Sequence, residues 1–386
     1  MATFINLPPE SQRDVYLPGE TLRFVFPGSG VVQGGTVRLR ARVRLGAPAG
    51  PDVAETGATA IGANEANLSR FGGVWGCIKR IDVMAPALGT IDTLEYANRT
   101  ASTVKAFRSD AGLEMSIQSG ALEYSAPNLL LAENIVVGKQ TRVLGLAAAI
   151  DLTMGLPTLF AQNIDLSQLG GLVVEVTLAQ NSECLRSSNA AATYNWVDVA
   201  MEAKVGMVKP QNPLSYLQIS TLTGQLDTGR KTLQFNSVAQ SACVGVIVTF
   251  NTQANLATLA NDEFAMVRPT DISEVVVRIS GSNMPLAYPI TVVNAGGAGE
   301  DNNELIANAA ALLGSKLPNN TLANSVVVNG NLVGDMDASS RPTVFAIGLP
   351  FTQPTDLRRS PVSIDITSGA TAAAPFTAFL HFIGQV

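Results

Sequence analysis

The chain has 386 residues, 46% hydrophobic and only 15% charged, with a net charge of −6. That length exceeds one comfortable core and predicts two domains. The acidic balance, without a terminal Lys or Arg run, argues against sequence-specific nucleic-acid binding. So little charge fits a well-buried protein, much of whose remaining surface is covered by neighbours.

The first twenty residues, MATFINLPPESQRDVYLPGE, lack the charged and apolar regions of a signal peptide. No apolar run reaches the 18 or so residues that a membrane-spanning helix needs. Three cysteines, Cys77, Cys184 and Cys243, are odd in number and widely spaced, so they are expected to be buried free thiols, as suits assembly in a reducing compartment. The sequons at Asn67, Asn98 and Asn319 read as chance.

In chain order, residues 36–45 (TVRLRARVRL) alternate Val37, Leu39, Ala41, Val43 and Leu45 against polar residues, the period of a half-buried strand. Arg38, Arg40, Arg42 and Arg44 then share its other face, expected to be solvated or salt-bridged. Strands are also predicted at 76–84, 172–178, 244–250, 275–279, 326–328, 362–367 and 376–383, from β-branched and aromatic enrichment. Gly34-Gly35, Pro48 to Pro51, Gly72-Gly73, Gly170-Gly171 and Gly296-Gly297 punctuate them as turns. A helix is predicted over 301–314: Leu305, Ile306, Ala309, Leu312 and Leu313 form one stripe, Asp301 suits the N-cap and Gly314 the C-terminal stop. A weaker helical turn is expected near 158–169. The proline-bearing stretch 206–214 marks the boundary between domains 1–208 and 209–386. Residues 46–70, 296–302 and 329–341 are expected as exposed excursions.

The blocks also recur in order. Thr21-Leu22-Arg23-Phe24 matches Thr232-Leu233-Gln234-Phe235. Residues 36–45 match 242–250, 76–84 match 271–279, 142–150 match 343–349, and 172–178 match 361–367. Their offset drifts from about 210 to about 190 residues, as expected of an old duplication with loop insertions.

Chemistry is sparse. The single histidine, His381, rules out two-histidine metal motifs and sits in the apolar FLHFIG, where a structural role is expected ahead of a general base. No phosphate-loop pattern occurs: Gly138-Lys139 lacks the upstream glycine and Gly314-Ser315-Lys316 has the wrong order. Gly296 to Gly299 precede acidic Glu300 and Asp301 and read as a turn. Asp335 and Asp337 lack calcium-loop spacing and read as a solvated turn. Trp75 and Trp196 belong to no aromatic platform, and Trp75 is expected in the core. No catalytic, cofactor-binding or metal-binding residue is predicted, and no cofactor.

The order of blocks over residues 14–386 resembles the double jelly-roll major capsid proteins of tailless icosahedral viruses, the lineage of adenovirus-like viruses, virophages, Polinton-like viruses and membrane-containing phages. Residues 74–99 (VWGCIKRIDVMAPALGTIDTLEYANR) are similar to that family's strand–turn–segment pattern. LGLAAAID, Leu156-Pro157 and Gly171 to Val176 resemble its proline-bearing connection into a strand. Ser273 to Ser280, Gly281, Pro285 and Tyr288-Pro289 resemble its strand, glycine turn and proline exit. The resemblance implies an all-β chain of two tandem eight-stranded jelly-roll β-sandwiches with short connecting helices. It further implies a non-enzymatic homotrimer forming a pseudo-hexameric capsomer of the virion, assembled inside the host cell. Neighbouring capsomers and minor or vertex capsid proteins would be its partners, and an internal membrane stays open. The arm before Tyr16 and the tail after Phe382 would be candidate contacts to neighbours. Another virion protein, such as a vertex or spike, and a tandem-sandwich carbohydrate binder remain alternatives.

Overall fold

The computed structural model describes residues 2–46, 65–68, 73–108, 135–136, 148–151, 159–187, 190–208, 210, 215–226, 230–253, 256, 259, 264, 266, 272–284, 290–291, 303–313, 327–328, 331–332, 345–368 and 375–385. The chain divides into two compact units. The first takes Met1–Ser102, Gly112–Tyr216 and Asn255–Phe264; the second takes Thr103–Ala111, Leu217–Ala254 and Ala265–Val386.

Strands of the first unit are β1 (Thr3–Leu7), β2 (Thr21–Phe26), β3 (Val31–Val32), β4 (Arg38–Gly46), β5 (Glu65–Leu68), β6 (Ile78–Ala85), β7 (Gly89–Glu95), β8 (Ile135–Val136), β9 (Ala148–Asp151), β10 (Ile164–Asp165), β11 (Leu172–Leu178), β12 (Leu185–Ser187) and β13 (Thr193–Gly206). Those of the second are β14 (Leu217–Leu226), β15 (Arg230–Phe235), β16 (Cys243–Thr252), β17 (Ile272–Ile279), β18 (Ser282–Met284), β19 (Ile290–Thr291), β20 (Val327–Val328), β21 (Asn331–Leu332), β22 (Ala346–Thr355), β23 (Val362–Ser368) and β24 (Phe376–Gln385). Among the described residues the longer helices are α1 (Ala97–Arg108) and α2 (Asn303–Leu312), with short helical turns at Leu159–Ala161 and Leu166–Leu169. The Leu166–Leu169 turn starts where the Asp165 side chain accepts from Ser167 N and stops at Gly170 in the left-handed region.

Both units have one topology. In the first, one sheet runs β1-β13-β4-β9 and the other β2-β11-β6-β7. In the second, the sheets run β14-β24-β16-β22 and β15-β23-β17-β18. Numbering the equivalent strands of each unit in chain order, one sheet holds the first, eighth, third and sixth, and the other the second, seventh, fourth and fifth. That is the jelly-roll order, with all pairs antiparallel. The five sequence pairings overlap equivalent strands: β2 with β15, β4 with β16, β6 with β17, β9 with β22, and β11 with β23.

Side chains explain the layering. β2 buries Leu22, Phe24 and Phe26 and exposes Thr21, Arg23 and Val25. β4 buries Leu39, Ala41 and Val43 on one face, continuing the buried Val37 just before it, and exposes Arg38 and Arg40 on the other, as the alternation predicts. In the second unit, Val246, Val248 and Phe250 of β16, Leu380 and Phe382 of β24, Val275 and Val277 of β17, and Ile364 and Ile366 of β23 form one core drawn from both sheets. Each such aliphatic or aromatic side chain stabilises the sandwich by about 1.5–3 kcal/mol.

Both chain ends named as candidate contacts contain paired strand residues. Residues 3–7 form β1, paired with β13 from Thr3↔Val205 to Leu7↔Met201, and Tyr16 bridges Trp196. Ile383 to Gln385 complete β24, paired with β14 from Ile219 to Leu217. The alternating Phe4, Asn6 and Ile5, Leu7 make the arm a strand, so deleting it removes the first strand of a sandwich and leaves β13 with an open edge.

Helix α2 packs on β16 and β22 through glycines. A Cβ on Gly348 would lie 2.5 Å from the Asn308 carbonyl carbon and 2.6 Å from Ala309 Cα, and one on Gly245 would lie 2.5 Å from Leu312 Cδ2. Ala309, Leu312 and Leu313 are buried, as the predicted stripe requires. Gly348→Ala is therefore expected to destabilise the chain by about 3 kcal/mol, since rigid helix backbone opposes the new methyl. Gly28→Ala, whose Cβ would meet nothing nearer than 3.6 Å, is the tolerated control. Urea unfolding of both variants checks this; equal midpoints would show that the helix does not pack as described.

Candidate functional site

His381 lies in the middle of β24, and it is buried. Its neighbours Leu380 and Phe382 point into the sandwich core, so its ring leaves the opposite face of the sheet. There Thr221 Oγ1 of β14 stands 2.9 Å from Nδ1. Thr103 Oγ1 of α1 stands 3.2 Å from Nε2, and Thr249 Oγ1 of β16 lies 3.5 Å from the same atom. Thr103 also reaches Met266 Sδ at 4.0 Å. All three threonines are buried. The described contacts of the ring are therefore hydroxyl contacts from three elements that the strand order and α1 bring together.

The other residues singled out by sequence do not gather around it. Arg38 and Arg40 share an outer face of the first unit, where Arg40 pairs with Glu202 at 2.6 Å. On the other sheet of that unit, Arg23 bridges Glu10 at 3.3 Å and Glu175 at 3.5 Å, while Arg80 bridges Asp82 at 2.7 Å and Glu95 at 3.0 Å. Such exposed pairs contribute about 0–1 kcal/mol each. Trp75 and Trp196 are both buried, the core position expected of Trp75. Asn98 is buried and donates to the Gly76 carbonyl at 3.3 Å, so the folded chain offers no glycan acceptor there. The side chains of Arg42, Arg44 and Asn67 lie outside the described residues, as do Gly138, Lys139, Gly296 to Asp301, Gly314 to Lys316, Asn319, Asp335 and Asp337.

The cysteines are buried free thiols, as expected. Burial pushes the Cys243 thiol up to about 12, against backbone hydrogen bonds at Gly245 and Ile383 that pull it down. Cys77 and Cys184 sit near Tyr194, whose hydroxyl donates to the Ala179 carbonyl at 2.5 Å. Burial, and next the charge of a neighbouring Cys184 thiolate, raise the Tyr194 phenol far above its usual range.

A groove of about 540 Å³ opens where residues 8–16 pass over β13. It is lined by Pro8, Pro9, Gln12, Arg13, Asp14, Tyr16 and the bulge Val197 to Val199. Sequence reasoning missed it because it depends on that bulge, where the register to β4 shifts and Asp198 takes φ +54°. Arg13 is held by Glu20 at 2.6 Å, which leaves the groove without a free cation of its own at that position. Among the described residues no group of three or more His, Cys, Asp or Glu could hold a metal ion, and no helix is long and apolar enough to cross a membrane.

No family model and no curated protein matches the chain. Solved structures do match it along its whole length. The Faustovirus major capsid protein superimposes with a TM-score of 0.60 at 8% identity, covering 100% of this chain and 90% of that one. The PBCV-1 virus capsid gives 0.54 at 8% identity, covering 100% and 94%. The mavirus major capsid protein gives 0.52 at 12% identity, covering 99% and 86%. The chain therefore has the double jelly-roll fold, the all-β architecture that its sequence pattern resembles.

Burial of all three cysteines yields a direct expectation. A thiol-reactive disulfide reagent at neutral pH should titrate none of the three in the native chain and all three in denaturant, because only exposed thiolate reacts. Any stoichiometric reaction of the native protein would contradict the burial described.

Proposed function

We propose that this chain is a non-enzymatic capsid protein of an icosahedral virion, and that three copies form a pseudo-hexameric capsomer. The observation that carries this reading is the full-length fold match to viral major capsid proteins, together with the repetition of one topology in both units. Two similar blocks in one chain, taken three times, give six similar blocks around a three-fold axis. Heterologous contacts between successive copies close such a ring without leaving an unsatisfied surface, and a hexagonal outline tiles a shell.

In this reading the jelly rolls correspond to residues 1–208 and 209–386. The partners are further copies of the chain, within the capsomer and between capsomers, and minor or vertex capsid proteins; an internal membrane would lie beneath the shell in a membrane-containing relative. The work is mechanical enclosure of a genome by a chain assembled inside the host cell, without sequence-specific nucleic-acid contacts and without a cofactor.

Light scattering of the purified chain, followed by electron microscopy of the same sample, tests the proposal. The expected mass is three times 40.3 kDa with hexagonal outlines. A stable monomer at micromolar concentration, with two lobes and no hexagonal particles, would overturn the capsomer.

A further inference from the structure

We propose, resting on the capsomer reading, that the outward face of the sheet formed by β1, β13 and β4 in the first unit is the seat of a second copy of this chain.

Strand register assembles that face. Phe4 of β1 stands opposite Lys204 of β13, and Asn6 opposite Glu202. Glu202 in turn stands opposite Arg38 of β4, and Ala200 opposite Arg40. Cross-strand partners point to the same side of a sheet, so these side chains share one surface, behind the core-facing Leu39, Ala41, Met201 and Ala203. Phe4 is 72% exposed, and Lys204 Nζ lies 5.8 Å from the centre of its ring. Just past the end of β13, Met207 is 82% exposed and Val208 80%. Arg40 pairs with Glu202 at 2.6 Å, whereas among the described residues Arg38 and Lys204 have no carboxylate partner. An exposed aromatic ring beside cations is the make-up of the few residues that carry most of the binding energy in protein contacts.

The second unit buries the equivalent face. On β16 and β24 that face carries Ile247, Thr249, Phe379 and His381, all buried, and α2 lies against β16 and β22 at Gly245 and Gly348. Blocks of one topology close a ring when equivalent faces are covered in equivalent ways around it. One of the two faces is already covered within a single copy. Its open counterpart in the first unit is therefore left for the next copy to cover.

Charge decides the kind of contact. On the open face Arg38, Arg40 and Lys204 outnumber Glu202, while the chain as a whole has a net charge of −6. The rest of the chain is therefore more acidic than the total suggests, and it is the complement that a cationic face attracts. Two copies of the cationic face repel one another, which opposes an isologous dimer through it. The contact is heterologous: the cationic face of one copy meets an acidic, non-equivalent surface of the next. A three-fold ring is closed by contacts of that kind, whereas a two-fold axis joins a surface to itself.

Light scattering across concentration gives the trimer dissociation constant of the wild type and of the double variant Arg38→Gln with Lys204→Gln. Circular dichroism checks that the variant keeps its strands. The variant should raise the dissociation constant at least about tenfold, and added salt should weaken the wild type more than the variant. In parallel, hydroxyl-radical footprinting follows Phe4 in the assembled wild type and in the denatured chain. Oxidation of Phe4 should be at least about fivefold slower in the assembly, as for a side chain at the core of an interface. A wild-type trimer in which Phe4 is oxidised as fast as in the denatured chain, or one no tighter than the variant's, overturns this contact and leaves the capsomer reading standing. A monomeric wild type overturns the capsomer reading and this contact with it. If the double variant does not fold, the footprint of the wild type decides.

Discussion

Each unit depends on its last strand being inserted between its first and third. β24 is paired along both edges, with β14 from Leu217↔Gln385 to Leu226↔Phe376 and with β16 from Cys243↔Gly384 to Thr252↔Phe376. β13 holds the same place between β1 and β4. Until that strand arrives, the first strand has no partner and the third has an open edge. The pairing joins residues at opposite ends of a unit, so loop-closure entropy opposes it until burial on both faces of the strand repays the ordering. β24 meets that demand by burying every residue from Phe376 to Gly384.

Burial on both faces changes what the composition means. Low charge suggested a surface covered by neighbouring chains, yet part of that coverage is internal. In the second unit, the face of β16 and β24 turned away from the core carries Ile247, Thr249, Phe379 and His381, all buried. Thr103 reaches that layer, and α2 lies on it through Gly245 and Gly348. Composition therefore carries less weight for assembly than first supposed, and the fold likeness carries more.

The sequence made the alternating strands legible and concealed those that interrupt their own period. β4 and β11 show clean patterns because one face of each is polar. β13 buries Tyr194 and Trp196, then Val199, Met201 and Ala203, so the bulge at Val197 to Ala200 shifts its phase and cancels the period-two signal. β14 hides because its outward face mixes Ile219 with Thr221, Thr223 and Gln225, while its core face sets Gln218, Ser220 and Gly224 beside Leu222 and Leu226, so neither face shows a continuous aliphatic row. α1 gives no apolar stripe over its described side chains: Ala97, Asn98, Thr100, Ala101, Ser102, Thr103 and Val104 are buried, mostly small or hydroxylated. The histidine cage was illegible for the same reason. Its four members are spread from residue 103 to 381 and meet through pairing register, which local spacing cannot encode.

The two units share one topology while the chemistry of equivalent faces differs. On the outer face of β4 and β13 stand Arg38, Arg40, Glu202 and Lys204, solvated and partly ion-paired. On the equivalent face of β16 and β24 stand Thr249 and His381 under a cover of helix. The backbone order withstands this because jelly-roll closure is set by core-facing residues, which stay apolar in both units, whereas the outward positions are free to change. If the chain closes a six-block ring, the blocks alternate between two kinds of outer face. A ring of alternating walls has three-fold and not six-fold symmetry, so each contact joins unlike surfaces. The difference between the two units would then supply the specificity that six identical blocks could not.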